Sequence, residues 1–191
     1  MTKELRIIGI SGSLRKKSYN KAALCAAAEL LPKGTTLEIV DLSLIPFFNE
    51  DVEATGVPQV VVDLKKKLAA ADAILIATPE YNYSIPPVLK NALDWASRGT
   101  ELPLRGKPVA IMSASPGMLG GGYVQYHLRK VCIKLELKTL KIPKVLITNA
   151  NKKFDRGGKL IDDLTKKSIT KLLRALLDKK QEEPYTKLRV I

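Results

Sequence analysis

Residues 73–77 read Ala-Ile-Leu-Ile-Ala, an apolar run with no polar interruption that stops at Thr78-Pro79. A strand with no polar face is covered on both sides, as in the centre of a parallel sheet with helices above and below. An α/β architecture is therefore the expectation, and the rest of the chain supplies its parts in alternation. Leu5, Ile7, Ile8 and Ile10 mark a first buried strand. An Ala-rich helix over 21–31 follows, with Ala22, Ala23, Ala26, Ala27 and Leu30 at helical spacing. Residues 35–42 alternate and carry β-branched side chains, predicting a second strand. After a long loop over 43–58, residues 60–70 form a helix that turns Val60, Val61, Leu64 and Leu68 inward. Pro86-Pro87 presets the first turn of the next helix, whose Val88, Leu89, Ala92, Leu93 and Ala96 share one face. A fourth strand over 107–112, a helix over 123–133 and a fifth strand over 137–147, interrupted at Pro143, come next. A last helix carries Ile169, Leu172, Leu173, Leu176 and Leu177 as its stripe.

Strands and helices in strict alternation, with connections long enough for crossovers, predict an open five-stranded parallel sheet with helices on both faces. The order 2-1-3-4-5 is expected because it places a switch point between strands one and three, where ligands bind at the strands' carboxyl ends. Loops 11–20, 78–86 and 113–122 all leave such ends and should meet there. One domain is expected over 1–180, with 181–191 as a polar tail.

The first of these loops carries the strongest chemical signal. Between strand and helix stand Gly9-Ile-Ser-Gly-Ser-Leu-Arg-Lys-Lys-Ser-Tyr-Asn20. Backbone N–H groups, a helix N-terminus, serine hydroxyls and a guanidinium can converge there on one phosphate. Part of this composition also suits an ordinary helix cap by Ser18 or Asn20. The glycines do not fit a dinucleotide fingerprint, and no Gly-Lys-Ser/Thr follows for a P-loop. A monophosphate fits better, and FMN better than ATP. Loop 79–84 adds a rigid turn and tyrosine faces, while 113–122 adds small residues that let backbone approach a ligand. Together these suit a planar flavin ring, whose redox chemistry resides in the cofactor. No nucleophile–base pair and no metal cluster is evident.

Composition narrows the partners. The net charge of +13 is uneven: residues 1–100 carry 12 basic and 11 acidic side chains, residues 101–191 carry 20 and 8. Scattered lysines and an aromatic content of 5% argue for a solvated basic surface and against nucleic-acid binding. Its field would help attract an anionic substrate such as NADPH. There is no long apolar run and no leader pattern, so a cytoplasmic protein without membrane contact is expected. Cys25 and Cys132 are expected to be buried thiols. His127 and Trp95 are expected to be packing or interface residues.

Gly12-Ser-Leu-Arg-Lys-Lys-Ser-Tyr-Asn20, Pro79-Glu-Tyr-Asn-Tyr-Ser-Ile-Pro86 with Leu89-Lys-Asn-Ala-Leu-Asp-Trp95, and Gly120-Gly-Gly-Tyr-Val-Gln-Tyr-His-Leu-Arg129 together resemble the NADPH-dependent FMN reductase family. That family includes quinone, azo-dye and chromate reductases. The resemblance spans roughly residues 5–178 and implies a flavodoxin-like three-layer sandwich, non-covalent FMN, NADPH or NADH as hydride donor, and homodimers or homotetramers. By motif, Ser11, Ser13, Arg15, Ser18 and Asn20 would hold the phosphate. Pro79, Glu80, Tyr81, Asn82 and Tyr83 would frame the isoalloxazine, and Ser115, Gly117, Gly120 and Gly121 would border its pyrimidine side. The segment from Ser115 to Leu119 departs from the more glycine-rich turn of relatives. The expectation is an FMN-dependent NAD(P)H oxidoreductase with a small-molecule acceptor, a quinone before azo compounds, free flavin or chromate, working by a ping-pong mechanism. Two other readings stay open: a flavodoxin-type electron carrier, against which the basic charge argues, and an FMN-binding redox sensor or interaction module.

Overall fold

The computed structural model describes residues 4–181. Its strands are β1 (Leu5–Ser11), β2 (Thr35–Val40), β3 (Ala73–Thr78), β4 (Pro108–Ala114), β5 (Lys138–Thr139) and β6 (Val145–Ile147). Its helices are α1 (Tyr19–Glu29), α2 (Glu50–Thr55), α3 (Gln59–Ala70), α4 (Pro87–Ala96), α5 (Gly122–Lys134), α6 (Ala150–Lys153) and α7 (Asp163–Gln181). All pairings among these strands are parallel, in the order β2-β1-β3-β4-β5 with β6 also on β4. The expected order therefore stands, with a sixth strand attached. The fifth strand is in fact two short ones, β5 on the start of β4 and β6 on its end, separated by the turn at Pro143. Proline lacks a ladder donor, which explains the break. The tail expected from 181 onward falls outside the described residues after its first position.

The sheet's two faces differ in side-chain size. Towards α1 and α7 it presents Ala73, Leu75, Ala77, Ala110, Met112 and Ala114, against Ala23, Leu24 and Ala27 of α1 and the Ile169–Leu177 stripe of α7. Small residues on both sides let the Ala-rich helix lie close to the strands. Towards α3, α4 and α5 the sheet presents Ile8, Ile10, Ile74, Ile76, Val109 and Ile111. Each fully buried Leu or Ile of these layers contributes about 1.5–3 kcal/mol.

Two elements escape the hydrophobic pattern. Helix α2 lies within the expected loop 43–58 and buries no residue, so it has no apolar stripe; Asn49 starts it by accepting the Asp51 N–H at 2.9 Å. Helix α6 is four residues long. The 43–58 segment is tied down instead by α4, where Asn91 Nδ2 and Trp95 Nε1 both donate to the Pro46 carbonyl at 2.8 Å. Trp95 is thus a core residue, as expected. Cys25 corrects the expectation: it sits on the exposed side of α1, while Cys132 is buried. Helical rotation separates Cys25 from the buried Leu24 and Ala26 beside it, a distinction that the run of alanines hides.

Candidate functional site

Three loops meet at the carboxyl ends of β1, β3 and β4, and buried polar side chains hold them together. In the first, Gly12 donates its N–H to the Ala77 carbonyl at 2.8 Å. A Cβ at Gly12 would lie 2.4 Å from Thr78 Oγ1, so a side chain would push β1 and β3 apart. Ser11 Oγ donates to the Ser13 carbonyl at 3.1 Å and accepts the Ser13 N–H at 3.3 Å. Ser13 Oγ in turn accepts the Arg15 N–H. Ser18 caps α1 by accepting the Lys21 N–H at 3.3 Å. The first amides of α1 have no intrahelical partner, and they stand beside the hydroxyls of Ser13 and Ser18.

Asn20 has a role that its place in the motif does not suggest. Its Nδ2 donates to the Ala114 carbonyl at 3.0 Å and its Oδ1 accepts the Ala114 N–H at 2.9 Å. The side chain thereby completes the end of β4 as a neighbouring strand would, and locks the first loop to the third.

In the second loop, Tyr81 and Ser84 exchange backbone hydrogen bonds at 2.9 and 3.1 Å across a tight turn. Asn82 and Tyr83 occupy its centre at φ 48° and 61°. Consecutive left-handed residues define a type I′ turn, normally Asn-Gly, and a tyrosine at the second position is strained. The turn is held from outside. Ser84 Oγ lies 3.3 Å from His127 Nδ1, and the Tyr83 ring meets Tyr123 edge-on at 4.9 Å. Glu80 Oε2 accepts the Val124 N–H at 2.8 Å, capping the first turn of α5 and joining the second loop to the third. A carboxylate there also complements the helix dipole.

The third loop folds onto β4 through Ser113, whose Oγ donates to the Gly120 carbonyl at 2.6 Å and accepts from Gln125 Nε2 at 3.0 Å. Gly121 enters α5 at φ 83°, where a Cβ would lie 2.9 Å from that of Ser113. Gln125 also donates to the Val145 carbonyl. Neither Ser113 nor Gln125 was a sequence candidate. A glutamine on the inner face of a helix gives a weak signal of this kind, since it must find buried partners.

Ser13, Arg15, Ser18 and Asn20 of the first loop, Pro79, Glu80 and Tyr81 of the second and Ser115 of the third line one concavity of about 150 Å³. Asn82, Tyr83 and Gly117 lie exposed at its edge, whereas Ser11, Gly120 and Gly121 are buried behind it. Cavities of about 580 and 690 Å³ lie beside α3 and between α4 and α5, away from the strands' carboxyl ends, and one of about 430 Å³ adjoins the first loop at the ends of β1 and β2, lined by Ser11, Ser13, Arg15 and Asp41. Chemistry, not size, distinguishes the smallest of these. The hydroxyls of Ser13 and Ser18, the Arg15 guanidinium and the open end of α1 fit a phosphate monoester. The glycine-bearing third loop and the Tyr81 face fit the edge of a flat ring.

Other reactive groups do not gather there. Burial pushes the Cys132 thiol up to about 12, against the nearby charge of Arg129. It is therefore a packing residue rather than a nucleophile. Among the described residues no cluster of three or more His, Cys, Asp or Glu could hold a metal.

A doubly wound sheet with such a site at its switch point fits an FMN-type flavoprotein. Comparison with known proteins makes this specific. The family described as NADPH-dependent FMN reductase matches residues 5–152, and the chain belongs to it. Over 92% of this chain it is 49% identical to an NAD(P)H-dependent FMN reductase of Pseudomonas aeruginosa, of which 95% is covered. Identity is 43% to an NAD(P)H:quinone oxidoreductase of Solanum tuberosum, over 90% of this chain and 91% of that one. Among solved structures, a flavoenzyme NAD(P)H:(acceptor) oxidoreductase from Paracoccus denitrificans superposes with a TM-score of 0.86 at 28% identity, covering 95% of this chain and all of the other. The chain is an oxidoreductase that uses FMN and NAD(P)H.

Proposed function

We propose that the protein reduces a quinone to the hydroquinone at the expense of NAD(P)H: its loops would hold FMN, which would supply the hydride relay between donor and acceptor, and solvent would supply the second proton. FMN supplies this redox chemistry when bound. The chain binds and orients. Ser13, Arg15, Ser18 and the first amides of α1 hold the phosphate, while Ser11 and Asn20 fix the shape of that loop. Pro79, Tyr81, Asn82 and Tyr83 frame the isoalloxazine, with Glu80 holding the turn against α5. Ser115 and Gly117 would border the pyrimidine side, with Gly120 and Gly121 shaping that loop from behind. Donor and acceptor would occupy this one site in turn, which would make the kinetics ping-pong.

The observation that carries this reading is that phosphate donors and ring-bordering loops share one concavity at the sheet's switch point. The quinone as acceptor is supported by similarity to the Solanum enzyme and by 36% identity to a quinone reductase of Escherichia coli. We further propose that the protein is a cytoplasmic homodimer or homotetramer. Tyr83, Met118, Leu119, Tyr123 and Tyr126, on the second and third loops and the start of α5, are all more than half exposed, and a second copy would cover them.

The test is spectroscopic and kinetic. Anaerobic NADPH should bleach the oxidised flavin bands, and a benzoquinone should restore them. Initial rates at varied NADPH and quinone should give parallel double-reciprocal lines. Intersecting lines would overturn the shared site, and flavin that stays oxidised would overturn the reductase reading.

A further inference from the structure

The amino end of the sheet, opposite the candidate site, carries a second concentration of charge. There Asp72 ahead of β3, residues 105–108 at the start of β4, Lys138 of β5 and the last turn of α7 enclose a polar cleft of about 350 Å³. Arg105, Lys107, Lys138, Lys179 and Lys180 line it as cations, and Asp72 as the acid. Asp72 already accepts the Arg6 N–H at 3.0 Å and lies 3.4 Å from Lys180. Arg105 is paired with Glu136 at 2.8 Å.

Lys107 anchors the group. Its ammonium donates to the carbonyls of Ala69 and Ala71 at 2.9 and 2.6 Å, the carboxyl end of α3, so the charge is fixed at the cleft wall. Burial, and after it the charge of Lys180, hold its pKa below the ordinary lysine value although Asp72 opposes this. Cations from separate elements are thus brought together by the packing of the fold and exceed the acid beside them. A small anion of high charge offsets that repulsion, and several N–H donors around a polar space suit its oxygens.

We propose that this cleft binds a multivalent phosphate oxyanion, either free or as the phosphates of a nucleotide, separately from the phosphate loop of the first site. The two places share no residue and lie at opposite ends of the strands.

The test uses the full chain with saturating FMN. Inorganic phosphate, pyrophosphate and ADP are titrated calorimetrically at constant ionic strength. Pyrophosphate should bind saturably at one per chain, and Lys138→Glu should weaken it about tenfold or more, the scale of a lost charged hydrogen bond. Lys138→Gln, run in parallel, covers the case in which charge reversal hinders folding, and should weaken binding in the same direction. Arg15→Ala and the distant pair Lys66→Gln/Lys171→Gln should leave affinity unchanged. ADP binding at least as tightly as pyrophosphate identifies a nucleotide as the source; ADP binding more weakly identifies the free oxyanion. Heats that do not saturate, equal loss in the distant pair, or loss in Arg15→Ala would each overturn the proposal.

Discussion

At the carboxyl end of the sheet Asn20 and Ala114 exchange two hydrogen bonds out of contact with water, whereas at the amino end Lys107, Lys138 and Lys180 crowd a half-open cleft. At the first end the ties between loops are short, paired and directional, and the Arg15 charge stands exposed beside them. The second is charged and tolerant of small displacements, because a Coulomb field falls off gradually and is screened by solvent. The contrast teaches where this fold keeps its precision. Three loops that must present donors to one ligand are held by short, buried ties, while the opposite end can gather lysines with little effect on packing.

Substitutions at four positions sharpen or break that contrast. The largest effect is expected from Asn20→Ala, which leaves the buried Ala114 N–H and carbonyl without their partner. Urea denaturation should show a loss of about 2–4 kcal/mol, together with weaker FMN retention. A loss under 0.5 kcal/mol would mean that the carboxyl end is not held as described. Gly12→Ala comes next, since its Cβ would press on Thr78 Oγ1 and Cβ at 2.4 and 2.9 Å. The expected cost is about 1–3 kcal/mol by the same measurement.

Glu80→Ala should cost about 1 kcal/mol through loss of the cap on α5. Glu80→Gln, which keeps an acceptor for the Val124 N–H, should recover most of it. Equal loss in both would show that the negative charge, rather than the hydrogen bond, matters there.

The smallest effect belongs to the amino end and is read through pH. Lys107 has a pKa below 10.5 in the native protein, chiefly from burial. Between that lowered value and 10.5 the unfolded chain holds a proton that the native chain has released. Stability contributed by this group therefore rises with pH across that window. Denaturation series on wild type and Lys107→Gln should diverge there, wild type gaining relative to the variant as pH increases. Parallel series would show that Lys107 is fully solvated and that the amino end holds no strained charge.

Much of the architecture was legible in the chain because it rests on burial, which writes itself as periodicity. The run 73–77, the alternation of strand and helix and the Ile169–Leu177 stripe each occupy the places their patterns predict. Helix α2 was not legible, since it buries nothing, and the exposure of Cys25 was not, since alanines surround it. At the site, the loops could be read by composition: serines, glycines and Arg15 after a strand signal anion binding locally. What each side chain does there could not be read. Asn20, Ser113, Glu80 and Gln125 look like ligand-facing or incidental polar residues until their partners, 44 residues away for Glu80 and 94 for Asn20, are known.

The sequence by itself therefore determined the sheet, its order and the three loops that face a phosphate-bearing ligand, because hydrophobic period and turn chemistry are local properties. Only the tertiary structure decided that Asn20 finishes β4, that Tyr83 holds a left-handed turn and that five cations share one cleft. Those facts depend on which distant residues the crossovers bring together, and a pairing across the fold leaves no mark on either segment alone.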